Sequence, residues 1–155
     1  MPRCLLTIVL ALAACPLHAD DPLPRTPDDP VPQLMETIGL LTSVQLYQTY
    51  LNIGLLADGR TEGLYADNDI KQLLASVLTP LDRVDKQLEK VAKLATTKDD
   101  KESLEKLRAI GGLLRQQGKD LETFWASGKE ADGAKFEASR KKTWKELNAL
   151  LEVEK

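Results

Sequence analysis

The chain has 155 residues, 43% hydrophobic and 29% charged, with 21 Lys and Arg against 24 Asp and Glu, one His and two Cys. A formal charge of −3 and a pI near 5.3 exclude the basic footprint of a nucleic-acid-binding domain. Low Gly and Cys contents exclude collagen-like and disulfide-framework classes, leaving one small globular domain.

Residues 1–19 read as a secretory leader: Arg3 gives the positive start, residues 5–14 an apolar run, and Leu17-His18-Ala19 a short cleavage region ending in a small residue. The run is half the length of a membrane-spanning helix, which takes roughly 20 residues. A second ending competes with cleavage after Ala19, because Leu12-Ala13-Ala14-Cys15 resembles the lipobox of bacterial lipoproteins, with Cys15 as the lipidated residue. Either ending predicts an extracytoplasmic chain, periplasmic or secreted in the first case and membrane-tethered through the Cys15 lipid in the second. Cleavage after Ala19 removes His18, Cys4, Cys15 and Arg3, taking the formal charge from −3 to −4. Residues 20–32, with five Pro and four Asp, read as a disordered tether.

Residues 33–155 carry helical periodicity throughout. In the first helix, over 34–57, Leu40, Val44, Tyr47, Leu51 and Leu55 recur at three and four residues and are expected to face the core. Leu46, Tyr50 and Ile53 form a second apolar stripe, expected to stay exposed as a partner surface. No charge occurs from residue 37 to residue 57, a pattern of helices buried on more than one side. The second helix starts near a cap at Asp67 or Asn68. Its seam of Ile70, Leu74, Val77, Leu81, Val84, Leu88, Val91 and Ala95 keeps heptad phase through Pro80, which predicts one bent helix. Thr97 and Asp100 have capping-box spacing for a third helix with the stripe Leu107, Ile110, Leu114, Leu121 and Phe124, ending at Gly128. Asp132 is the expected cap of a fourth helix reaching about residue 153, with Phe136, Trp144, Leu147 and Leu151 on one face. Four such helices on short connections predict an all-α, up-down-up-down four-helix bundle.

Two features of the bundle suggest ligand chemistry. Arg140 falls inside the apolar arc of helix four, level with Gln117. These two, with Tyr47, Trp144 and neighbouring Tyr50 or Asn52, are a candidate layer for a small anion; the competing expectation is that Arg140 reaches outward to a rim carboxylate. Gly111, Gly112 and Gly118 read as a notch for Trp144, or as an apolar groove. Asp67-Asn68-Asp69 lacks the twelve-residue calcium loop, and Asp58-Gly59-Arg60-Thr61-Glu62-Gly63 lacks the Lys-Ser or Lys-Thr of a phosphate loop.

Helical pattern and leader together resemble the periplasmic haem-carrying bundles of the cytochrome c-prime class and their non-covalent relatives, with Met35 near the start of helix one. That resemblance implies the four-helix shape. It does not extend to haem, since the last helix has no Cys-x-x-Cys-His and a mature chain has no His. Loss of His and Cys also removes the residues of nucleophilic triads and of ordinary zinc or copper sites, and carboxylate di-metal bundles need Glu-x-x-His pairs that are absent. The sequence therefore predicts no enzyme, no cofactor and no metal. It predicts a non-catalytic bundle acting on an envelope partner or on itself, with a small-ligand bundle using the Arg140 and Trp144 region as the alternative.

Overall fold

The structure, a computed structural model, describes residues 30–151; the expected leader, Cys15 and the expected tether up to residue 29 lie outside these, as do residues 152–155. The described chain is all-helical: α1 (Val31–Thr61), α2 (Asp67–Ala92), α3 (Lys98–Ser127) and α4 (Glu130–Leu151). No strand occurs among the described residues.

Each helix boundary has a local chemical cause. Val31 and Pro32 open α1, where a missing N–H costs nothing. Gly63, at φ 71°, ends it, with the Leu64 N–H donating to the Gly59 carbonyl at 2.8 Å. Thr97 caps α3 as its spacing predicts, its hydroxyl accepting the Asp100 N–H at 3.1 Å. Gly128, at φ 61°, closes α3. Two expected caps differ. Ala66, with no side-chain bond, precedes α2, and Asp67 instead pairs with Arg60 at 3.0 Å. The sharp turn at Gly128 starts α4 two residues before Asp132. That carboxylate sits in the first turn, accepting from the Ser127 hydroxyl at 2.8 Å and from Lys135 at 2.9 Å. Pro80 lies within an unbroken α2, as the continuous heptad phase predicts.

The core is aliphatic. Ile70, Leu74, Leu81 and Leu88 of α2, Leu107, Ile110, Leu114 and Leu121 of α3, and Phe136 and Leu147 of α4 are buried in one cluster. Burying each such side chain stabilises the fold by about 1.5–3 kcal/mol. Packed pairs are α1 with α2, α3 and α4, α2 with α3, and α3 with α4; α2 and α4 do not meet among the described residues. Asp82 bonds Arg115 at 2.9 Å and Asp85 bonds Arg108 at 2.8 Å, so contacts ascend α2 as they descend α3. Between α1 and α3 they ascend together, from Leu46 beside Gly111 to Arg60 over Trp125.

The side of α1 that enters the core is the one expected to be exposed. Leu46 and Ile53 are completely buried, together with Thr49, Leu56 and Ala57, whereas Leu40, Val44, Leu51 and Leu55 face solvent. Hydroxyl chemistry permits the inversion. Ser43 and Thr49 donate to the carbonyls of Gly39 and Gln45 four residues back, at 2.8 and 2.9 Å, so the polar residues of this face carry no unmet donor inside.

Candidate functional site: the outer face of α1 and the Arg140 region

Outward from the core, α1 presents Leu34, Leu40, Leu41, Val44, Leu51 and Leu55, with Leu40 and Leu41 each 64% exposed and Leu55 66%. At 1.5 Å per residue this stripe is about 30 Å long. It carries no charge between residues 37 and 57. The exposed fractions correspond to roughly 600 Å² of apolar surface, at the top of the range seen for the largest patch on a monomeric protein. Isolated exposed leucines need no explanation; six exposed aliphatic side chains on a helix that is charge-free from residue 37 to residue 57 do.

The expected partner surface is thereby corrected. Leu46 and Ile53 are core residues, and Tyr50 is half-buried with its ring stacked on Trp144 at 5.5 Å between centroids. Tyr47 meets the same indole at 6.4 Å in a tilted arrangement. The outer stripe was readable only by noticing that α1 is apolar on both sides. Its two faces differ little in hydropathy, so periodicity alone does not choose between them.

Arg140, Tyr50, Tyr47 and Trp144 do come together, without forming an anion layer. The Arg140 guanidinium lies toward the rim, 36% exposed, and donates to Glu137 at 3.3 Å. Desolvation opposes its charge, but the Tyr50 hydroxyl and the Glu137 carboxylate outweigh that and raise its pKa. Arg140 borders a cleft of about 420 Å³ that it shares with Asp58, Glu130 and Glu137. Three carboxylates against one guanidinium oppose an anionic ligand. Outward reach along the aliphatic stem, the plainer of the two expectations, matches this geometry.

Gln117 is fully buried, and neither its amide nitrogen nor its oxygen has a hydrogen-bond partner. It therefore does not bridge to Arg140. The glycine notch also has a different occupant: a Cβ on Gly118 would lie 2.5 Å from Leu78 Cδ1, and Gly111 faces Leu46 at 3.9 Å. Leu78, not Trp144, fills the space that Gly118 leaves.

A second open groove, about 660 Å³, runs between α3 and α4 over Ile110, Leu113 and Leu150, rimmed by Lys106, Lys142 and Glu146. Its floor is apolar but short, and its rim carries both signs of charge. Among the described residues no group of three or more His, Cys, Asp or Glu is placed to hold a metal ion, and no helix is long and apolar enough to cross a membrane. Comparison with protein-family models, with curated proteins and with solved structures finds no match for the chain.

Proposed function

We propose that this chain is a non-catalytic helical-bundle module of the cell envelope that acts by docking through the outer face of α1. The observation carrying this reading is the stripe from Leu34 to Leu55, a large apolar surface on a helix that has no charge from residue 37 to residue 57. Extracytoplasmic placement rests on the leader, whose features are those of exported chains. An up-down-up-down arrangement is part of the proposal. It is supported by the opposed contact order of α2 and α3, the matched order of α1 and α3, and connections confined to residues 62–66, 93–97 and 128–129.

The small-ligand alternative is weaker, because Arg140 is neutralised at the rim and Gln117 lines none of the clefts described above. The docking reading is tested in intact cells by placing a photo-crosslinking amino acid at Asn52, exposed at the edge of the stripe, with Glu122 of α3 as the control position. Illumination is expected to give a discrete adduct from position 52 and none from 122. Absence of an adduct from position 52 in cells that accumulate the folded protein would refute docking through α1.

A further inference from the structure

The outer stripe of α1 has a regular spacing. Leu34, Leu41, Val44, Gln48, Leu51 and Leu55, with Thr37 filling the remaining step, follow one another at three, four, three, four, three and four residues, and all seven are exposed. This is three heptads of a coiled-coil seam, set on the side of α1 opposite its core-facing residues Leu46, Thr49, Ile53 and Leu56. One helix thus carries two seams, and the bundle occupies only one.

We infer that the outer seam pairs with the same seam of a second copy of this chain, α1 lying parallel to and in register with α1 of its mate about a two-fold axis. The inference rests on the docking reading above and names its partner. Three observations favour self-pairing. A face without charge from residue 37 to 57 meets its own copy with no like-charge repulsion and gives a charged partner nothing to recognise. Full burial of the exposed aliphatic side chains, Leu40 at the seam's flank included, removes roughly 600 Å² on each copy, so a pair can bury up to about 1,200 Å², at the lower bound of specific protein interfaces. Gln48, the polar residue near the middle of the seam, carries both donors and an acceptor, so in parallel register its amide meets an identical amide that it can bond. An antiparallel pair centred on Val44 would set Gln48 against the apolar residues near Leu41. Single polar seam residues of this kind fix register and strand number in coiled coils.

Sedimentation equilibrium of the purified protein tests this, with Val44→Lys and Leu51→Lys as seam variants and helical circular dichroism as the check on folding. Both positions face solvent, so the monomer fold tolerates the change. The wild type is expected to sediment at twice the chain mass. Each variant should weaken association at least about tenfold while keeping its helix content. A Gln48→Cys variant, with Cys4 and Cys15 replaced by Ser, should form a disulfide-linked dimer under mild oxidation, since in-register seam positions lie within disulfide reach. A dimer that survives both Lys substitutions would overturn the seam as its interface, and a dimer that Gln48→Cys cannot lock would overturn the parallel register. A wild-type monomer whose position-52 adduct contains another protein would overturn self-pairing and leave the docking reading standing. A monomer with no adduct would remove both.

Discussion

Gln117 carries an unusual burden for a core side chain. Both ends of its amide are buried without a partner, and each such group costs about 1–3 kcal/mol relative to a satisfied one. Gln117→Leu, of similar volume, is therefore expected to stabilise the fold by about 1–2 kcal/mol and raise Tm by a few degrees. Thermal unfolding measures this, and a lower Tm would mean that the amide is satisfied in solution. The glycines of α3 offer a paired test of packing against propensity. Gly112 has open space where a Cβ would go, so Gly112→Ala should gain about 1 kcal/mol from helix propensity. Gly118→Ala has the same propensity gain, but its methyl would displace the Leu78 isobutyl group, with Cδ1 at 2.5 Å, Cδ2 at 3.0 Å and Cγ at 3.3 Å. Overpacking of this kind costs about 1–3 kcal/mol, so a net loss near 1 kcal/mol is expected in urea unfolding. Equal stabilities for the two variants would show that Leu78 moves aside freely. Asp85 governs part of the acid limb. Its hydrogen bond from Arg108 is the main cause that holds its carboxyl below the ordinary value near 3.8. A folded-state pKa below the unfolded one gives stability that is present above the ordinary value and lost as pH falls through the folded value. Asp85→Asn should flatten the fall in stability on acidification below pH 4, without abolishing it, because Asp132 is shifted the same way by Lys135 and Ser127.

At the scale of the element, legibility followed contrast. In α2 the charges keep off the seam, whose Ile70, Leu74, Leu81 and Leu88 are buried and whose Val77, Val84 and Val91 are half-buried, while Ala95, also buried, lies past the helix end at Ala92. The Thr97 cap and the Gly128 stop were likewise fixed by local chemistry: a hydroxyl three residues before an N–H, and a residue free to take positive φ. The faces of α1 escaped reading because aliphatic residues stand on both sides, and the buried side holds Ser43 and Thr49, polar by any scale. Their hydroxyls are satisfied within the helix, so burial costs them little, and tertiary packing rather than hydropathy decides the face. The charge-free run was visible, and so was its implication that α1 is covered on two sides; which side meets the bundle was not. The Arg140 region was legible in part. Its level in α4 and its neighbours Tyr50 and Trp144 were set by helical register, but the direction of a long, flexible guanidinium stem was not.

For the whole molecule, the contact pattern leaves α1 as the helix with two roles. It packs on all three others and buries Leu46, Ile53 and Leu56, and it also turns an apolar seam outward. Elsewhere the surface carries pairs of opposite charge, with Arg115 on Asp82, Lys135 on Asp132 and Arg140 on Glu137, which help keep it solvated. Association through α1 should therefore respond to salt in the direction of apolar burial, holding or tightening in 0.5 M sodium sulfate, whereas contacts through exposed ion pairs would loosen. Oxidative footprinting of the protein at associating concentration tests the docking face most directly, with the Val44→Lys variant as the unassociated reference. Leu41, Leu51 and Leu55 are expected to be protected in the wild type, while Leu64 and Leu94, 66% and 68% exposed and outside the seam, should label equally in both proteins. Equal labelling of Leu41, Leu51 and Leu55 in the two proteins would contradict the assignment of α1 as the working surface.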